Sequence, residues 1–173
     1  MNRKLFFLTI YSLILFFCLP LILPKIKIYY FLFLLIYSIR KQPLLNILPL
    51  SIFIGLFYEL FATTPFGLFA IAYPLTTLLL FKAKNFFNDN PLNDFLFTTL
   101  YSLSLTAVMS IVGIFLGIQH TFSFSFFFMN FCLYPFIDGT FALILFSIPF
   151  IFFNICLNYY KIQFKKRRYK LGK

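Results

Sequence analysis

Long apolar stretches separated by short basic clusters constrain this chain more than any other feature. Charged residues make up only 11% of its 173 residues, whereas soluble domains carry close to a quarter. Each stretch approaches the ~20 residues that a helix needs to cross a bilayer. We therefore predict an all-α integral membrane protein, with one transmembrane domain of six helices over residues 1–173. The predicted spans are residues 5–23, 24–39, 44–62, 65–81, 95–116 and 135–159.

The basic residues predict the orientation of these spans. If the N-terminus is cytoplasmic, 13 of the 15 Lys and Arg residues fall on the cytoplasmic side, as the positive-inside rule expects. These are Arg3, Lys4, Arg40, Lys41, Lys82, Lys84, Lys161, Lys165, Lys166, Arg167, Arg168, Lys170 and Lys173. Only Lys25 and Lys27 fall on the other side. Membrane topology with both termini cytoplasmic thus explains the net charge of +11 better than binding of nucleic acid does.

The second predicted span, residues 24–39, is the weakest. Only residues 28–39 lie without a charge between Lys27 and Arg40, so a crossing needs Lys25 and Lys27 to extend outward and the bilayer to thin. A re-entrant hairpin is the alternative, but it would move basic residues to the wrong side. The sequence favours the crossing.

Two boundaries carry the chemistry of a helix start. In "TTP" at 63–65, Thr64 is the predicted N-cap and Pro65 the first helical residue, so the third and fourth spans turn tightly. The motif "NDNP" at 88–91 predicts the same chemistry before the fifth span. Between the fifth and sixth spans, the Phe-rich stretch 121–134 carries no Lys or Arg and is predicted to lie at the membrane interface.

The sequence does not indicate catalytic chemistry. The chain has a single His, His120, in a predicted outer loop, no close pair of acids within a span and no Gly-rich phosphate loop. A lone His of this kind is more typical of a hydrated loop residue than of a base or a metal ligand. We predict that the protein is not an enzyme and uses no metal or cofactor.

The stretch "GLFYELFATTPFG" at 55–67 places Glu59 in an otherwise apolar span. Ionisable residues at such positions usually face the interior of a bundle or mark a functional site. Glu59 lies ~22 Å along the helix from Leu44, near the outer surface, where partial hydration lowers its cost. Gly55, one turn earlier on the same face, would let a neighbouring helix approach closely. Packing or partner binding is the leading interpretation; small-molecule binding and a solvated loop-end acid are the alternatives.

Two further polar features have structural interpretations. Asp138 follows Pro135 and precedes Gly139, which predicts an N-cap for the last span. The C-terminal tail, residues 161–173, is strongly basic and is predicted to bind anionic lipid or a cytoplasmic partner. The centre of this tail consists of Lys165, Lys166, Arg167 and Arg168.

Gly55, Glu59 and Gly67, followed by the run "LFAIAYPLTTLLLFKAKNFF", resemble the MreD family of rod-shape-determining membrane proteins. The motif covers residues 55–87, and the length, number of spans and basic C-terminus are similar over nearly the whole chain. The family usually carries Asp where this chain has Glu59, a change that keeps the charge and lengthens the side chain. Asp138 matches the family's last helix too loosely to take over a role from it.

The resemblance implies a non-catalytic scaffold of the bacterial cell-elongation and peptidoglycan-synthesis machinery in the cytoplasmic (inner) membrane. It implies binding to the bitopic protein MreC and an indirect link to the actin-like MreB filament and to the RodA and penicillin-binding-protein synthase. It also implies a bundle similar to the substrate-binding subunits of energy-coupling-factor vitamin transporters. Such a transporter subunit is the alternative function, although the outer stretch offers mainly Phe, Ser, Gln119 and His120, which argues against a polar vitamin.

Overall fold

The computed structural model describes residues 3–22, 28–62, 65–87, 90–117 and 124–144. The regular elements in these ranges are all helical, which confirms the predicted all-α class. They are α1 (Arg3–Ile22), α2 (Leu32–Lys41), α3 (Leu44–Glu59), α4 (Leu68–Leu80), a 3₁₀ helix (Lys82–Phe86), α5 (Pro91–Phe115), α6 (Phe124–Phe128), a π-helical turn (Met129–Leu133) and α7 (Tyr134–Ala142).

Among the described residues, α5 is the one helix that is long and apolar enough to cross a membrane by length and composition. Shorter apolar helices cover Leu8–Cys18, Leu44–Glu59 and Leu68–Leu80. Six transmembrane helices, and the depth of each in a bilayer, therefore stay a prediction.

Helix α2 lies at the centre of the bundle, although the sequence made it the weakest predicted span. It contacts α1, α3, α5 and α7. Its buried residues are Leu32, Phe33, Leu34, Leu35, Ile36, Ser38 and Ile39. The 10 residues of α2 rise ~15 Å, about half of a ~30 Å hydrocarbon core. The described helix is therefore too short to make a crossing alone.

Of the two predicted helix starts, one is observed and one is wrong. Helix α5 begins as predicted, with Asn90 in the cap position and Pro91 as the first residue. Helix α4 begins at Leu68 and not at Pro65, with Gly67 as its cap residue. The physical reason is the φ of +99° at Gly67, because a left-handed residue cannot lie inside a right-handed helix.

The last helical run begins earlier than predicted. Helix α6, the π-helical turn and α7 follow one another without a break from Phe124 to Ala142. Much of the predicted interfacial stretch 121–134 is therefore helix continuous with α7. Pro135 lies in the first turn of α7, where its missing N–H and its ring disturb the preceding turn, and the wider π-helical turn accommodates this. Residues 145–159 of the predicted last span lie outside the described residues.

Many large apolar side chains face outward, while several polar ones lie inside. The buried polar residues are Ser12, Ser38, Ser51, Glu59, Thr76, Thr77, Thr98, Ser102 and Asp138. On α3, α4 and α5, several large apolar side chains are more than half exposed, among them Phe53 (66%), Leu79 (63%) and Ile114 (56%). Extensive exposed apolar surface is unusual on a soluble monomer. Polar groups directed inward are typical of helices packed within a bilayer.

Candidate functional site

Glu59, the last residue of α3, caps the neighbouring helix α4. Its Oε1 accepts a 2.9 Å hydrogen bond from the backbone N–H of Ala70, in the first turn of α4. The N–H groups of this turn have no partner within the helix, and the positive end of the helix dipole lies there. The carboxylate therefore suits this position. Glu59 is only 7% exposed, so it is not the solvated loop-end acid considered from the sequence.

Gly55 brings α3 and α4 close enough for this hydrogen bond. A Cβ atom at Gly55 would lie 2.5 Å from the backbone O of Phe69 and 2.9 Å from the Cα of Ala70. Because these are backbone atoms, α4 would have to move to admit any side chain. Gly55 and Glu59 lie one turn apart on the same face of α3 and act on the same turn of α4.

Position 67, directly before α4, requires glycine for a different reason than position 55 does. Its φ of +99° lies in the left-handed region that residues with a Cβ rarely adopt, and the space around its Cα is open. The requirement for glycine here is conformational and not steric. Its carbonyl accepts the first hydrogen bond of the helix, 3.1 Å from the N–H of Ile71. We call Gly55, Glu59, Gly67 and Ala70 together the α3–α4 corner.

Asp138 links α7 to α5 and to the segment just before α2, and it is not the N-cap of the last helix, so that prediction was wrong. It lies inside α7, which begins at Tyr134, and it is 2% exposed. Its Oδ1 accepts a 3.0 Å hydrogen bond from the backbone N–H of Tyr29, just before α2. Its Oδ2 accepts one from the hydroxyl of Ser102 in α5. Because the helix continues upstream through the π-helical turn, Asp138 is not at a helix start, and its carboxylate binds a neighbouring segment instead.

Gly139, beside Asp138, lets α5 and α7 approach each other. A Cβ atom at Gly139 would overlap the hydroxyl of Thr99 and lie 3.0 Å from the ring of Phe95. A buried acid costs free energy unless it is hydrogen-bonded, as Asp138 is through both of its oxygens.

The two buried carboxylates thus have a common geometry. Each accepts a backbone N–H from another segment: Glu59 from Ala70 in the first turn of α4, and Asp138 from Tyr29, which lies just before α2. Each also lies near a glycine that permits close helix packing. The sequence singled out both acids, but it identified neither hydrogen-bond donor.

Three buried tyrosines, Tyr58, Tyr73 and Tyr101, pack together with the partly buried Tyr29, whose backbone N–H binds Asp138. We call these four residues the tyrosine centre. The rings of Tyr58 and Tyr73 stack with centroids 5.6 Å apart and planes 13° from parallel, and Tyr29 packs edge-on against both. The hydroxyl of Tyr101 donates to the carbonyl of Tyr73 at 3.2 Å. Sequence reasoning missed this centre, and the only signal for it was that these tyrosines lie within apolar stretches.

An ion pair lies at the opposite end of α2. Arg40, near its C-terminal end, pairs with Asp94 in the first turn of α5, and its guanidinium lies 5.8 Å from the centre of the Phe97 ring. The side chain of Arg40 is only 8% exposed. Sequence reasoning assigned Arg40 to a cytoplasmic basic cluster but missed its partner, because 54 positions separate the two residues.

Several predicted features lie outside the described residues. They are Thr64, His120 and the basic cluster Lys165, Lys166, Arg167 and Arg168. Within the ranges that the structure describes, no three His, Cys, Asp or Glu side chains converge as metal ligands would.

No family model, no curated protein and no solved structure matches this chain. The likeness to the MreD family therefore rests on the motif at Gly55, Glu59 and Gly67 and on the layout of the sequence.

Proposed function

We propose that this protein is a multi-pass scaffold of the bacterial cytoplasmic membrane that acts in cell elongation without catalytic turnover. It binds a bitopic MreC-like protein and is linked through that partner to an MreB-like filament and to the RodA and penicillin-binding-protein synthase. Membrane lipids are its other partners, and its termini both lie in the cytoplasm.

The α3–α4 corner is the observation that carries this proposal. The three residues that resemble the MreD motif act on one helix start, each by a different physical means. Gly55 sets the separation of the helices, Gly67 sets the direction of the chain, and Glu59 supplies the hydrogen-bond acceptor. Together these three residues hold α3 and α4 at one separation and one angle. A scaffold needs such a fixed arrangement in order to present a constant surface to a partner.

Apolar surface at the same corner supports a partner within the membrane. Leu60 and Phe66, which lie in the connection between α3 and α4, are 74% and 78% exposed. A transmembrane helix of a second protein can cover such side chains without dehydrating any charge. The exposed apolar faces of α3, α4 and α5 further support a lipid environment.

The hydrogen bonds of Asp138 support a structural role for this acid over a catalytic one. A general base needs a carboxylate oxygen directed at the proton of a substrate, whereas both oxygens of Asp138 accept from protein donors. Glu59 uses Oε1 for the start of α4, and its buried Oε2 has no hydrogen-bond partner among the described residues. These bonds stabilise the bundle.

Depletion of the protein in its native bacterium tests the proposal. We expect rounded or growth-arrested cells whose uptake of small molecules is unchanged, with shape restored by the parent gene. Complementation with Gly55→Leu should fail at matched expression, because the bulky side chain separates α3 from α4. A vitamin auxotrophy in cells of normal shape would instead support the transporter subunit and reject the scaffold.

Co-purification identifies the partner directly. Detergent extracts that contain the tagged full chain should retain an MreC-like bitopic protein, and the Gly55→Leu variant should retain less of it. Recovery of a transporter ATPase in place of that protein would contradict the proposed partner.

A further inference from the structure

The 3₁₀ helix Lys82–Phe86 carries two lysines and an exposed aromatic ring. Phe86 is 85% exposed, Lys82 is exposed and Lys84 is partly exposed. The Nζ atom of Lys84 lies 3.9 Å from the centre of the Phe81 ring, a cation–π contact just after α4. Two ammonium groups and one apolar ring thus meet within five residues. We call Lys82, Lys84 and Phe86 the lysine surface.

Packing against α5 fixes the position of the lysine surface. Phe87, directly after the 3₁₀ helix, packs on the buried ring of Phe97 in α5, with the two centroids 4.9 Å apart. The guanidinium of Arg40, near the C-terminal end of α2, lies 5.8 Å from the centre of the same Phe97 ring. The lysine surface therefore lies at the end of the bundle where α2 ends and α5 begins. While Phe87 packs inward, its neighbour Phe86 stays outside.

Basic residues outnumber acids at this end of the bundle. In the sequence the basic residues are Arg40, Lys41, Lys82 and Lys84, and the acids are Asp89 and Asp94. Asp94 pairs with Arg40, so these two charges compensate each other, and Asp89 lies outside the described residues. The remaining excess of positive charge favours an anionic ligand.

Exposed apolar side chains at the same end favour a phospholipid over a soluble anion. Leu92, in the first turn of α5, is 67% exposed, and Leu45, in the first turn of α3, is 82% exposed. Helix α3 begins at this end, because its later part around Gly55 packs on the first turn of α4 and the two helices are therefore antiparallel. A soluble anion can pair with the lysines but covers none of these apolar groups. A phospholipid offers a phosphate to the lysines and acyl chains to Phe86 and the leucines.

We propose that the lysine surface binds the headgroup of an anionic phospholipid in the cytoplasmic leaflet. The ammonium groups of Lys82 and Lys84 pair with the phosphodiester, and the ring of Phe86 inserts among the acyl chains. This inference rests on the membrane location and the topology of the proposed function, but it does not involve the bitopic partner. It assigns an anionic lipid to the connection between α4 and α5, separate from the basic C-terminal tail.

A tryptophan introduced at position 86 reports the lipids around it, because the chain contains no Trp. The full-length Phe86→Trp variant is reconstituted into vesicles of equal parts phosphatidylglycerol and phosphatidylcholine. In parallel samples one lipid or the other carries brominated acyl chains, which quench indole fluorescence on contact. We expect brominated phosphatidylglycerol to quench at least about twofold more strongly, since one lysine near an anionic surface contributes roughly fivefold. Ile114→Trp, at an exposed position near the far end of α5, is the control and should be quenched equally by both lipids.

Removing lysines in the Phe86→Trp chain identifies the residues responsible. Lys82→Gln combined with Lys84→Gln should make the two lipids quench equally, whereas Lys165→Gln combined with Lys166→Gln in the tail should leave the preference unchanged. Equal quenching at position 86 with all lysines present would overturn the proposal. So would a preference that survives the loss of Lys82 and Lys84 or disappears with the tail lysines.

The control position separates failure of this inference from failure of the proposed function. Quenching at position 114 but by neither lipid at position 86 would overturn the lipid site alone and indicate that protein covers the lysine surface. Absence of quenching at both positions would reject the membrane location itself, and the lipid site with it.

Discussion

The carboxylate of Glu59 accepts a hydrogen bond from the backbone N–H of Ala70, eleven positions along the chain in the first turn of the next helix. A helix start is usually capped by the side chain of the residue directly before it. In α4 that residue is Gly67, which has no side chain but supplies the left-handed backbone. Two residues therefore cap the start of α4. Gly67 turns the chain, and Glu59 provides the hydrogen-bond acceptor that an N-cap side chain usually supplies.

Substitutions of Glu59 separate its charge from its hydrogen bond. Glu59→Gln keeps an acceptor for Ala70 and removes the interaction with the helix dipole, so we expect a loss of about 0.5 kcal/mol in the free energy of unfolding. Glu59→Leu also leaves the N–H unpaired, and should lose about 1 kcal/mol more. Unfolding of the purified variants, with co-purification of the MreC-like partner, measures both effects. Equal stability of parent, Gln and Leu variants would show that no cap exists.

Alanine at the two corner glycines should destabilise the protein by different mechanisms. Gly55→Ala pushes backbone against backbone, so we expect a loss of about 2 kcal/mol and a weaker α3–α4 contact. Gly67→Ala has room for its methyl group but strains the backbone, at a cost of about 1 kcal/mol. Crosslinking yield between cysteines placed on α3 and α4 should fall for Gly55→Ala and stay constant for Gly67→Ala. The same decrease in both variants would contradict this division.

The bond between Asp138 and Ser102 can be measured by a double-mutant cycle. We expect Asp138→Asn and Ser102→Ala each to destabilise the protein, and the double variant to lose less than the sum of the two. The coupling should be about 0.6–1.7 kcal/mol, the range for hydrogen bonds between membrane helices. Thr106→Ala, which removes a bond within α5 only, serves as the control with Asp138→Asn. Additive losses in the first cycle would show that the two side chains do not interact.

The pair between Arg40 and Asp94 should matter more than an exposed ion pair. Because the Arg40 side chain is buried, Asp94→Ala leaves a charge without its partner, and we expect a loss above the ~1 kcal/mol typical of surface pairs. The loss should change little between low and high salt, since buried charges are poorly screened. Lys82→Ala, at an exposed position, is the matched control and should cost less than ~0.5 kcal/mol. A loss at Asp94 that disappears in high salt would rule out a buried pair.

Reporter fusions at the two ends of the chain test the topology. The basic residues predict that reporters active only in the cytoplasm will work at both termini. A third fusion after Gly67 should report the outer side, because the α3–α4 corner lies away from the basic end of α3. Termini on opposite faces would reject six spans and favour the re-entrant second segment.

The sequence by itself determined those features that depend on residues within one or two helical turns. Charge content and apolar length predict helices throughout, and the regular elements among the described residues are all helical. Asn90 and Pro91 begin α5 as expected because cap chemistry is local. Gly55 and Glu59 could be placed on one face of a helix because they are four positions apart.

Only the tertiary structure decided which groups these residues meet. Asp138 has the local sequence of a helix start, yet the run from Phe124 continues through it and its carboxylate binds Tyr29, 109 positions away. The ion pair of Arg40 with Asp94 also joins residues far apart in the sequence. The tyrosine centre likewise combines one residue from each of α3, α4 and α5 with Tyr29 from the segment before α2. The reason is physical: propensity and capping act along the chain, whereas contacts between helices depend on where every connection and every glycine lets the backbones approach.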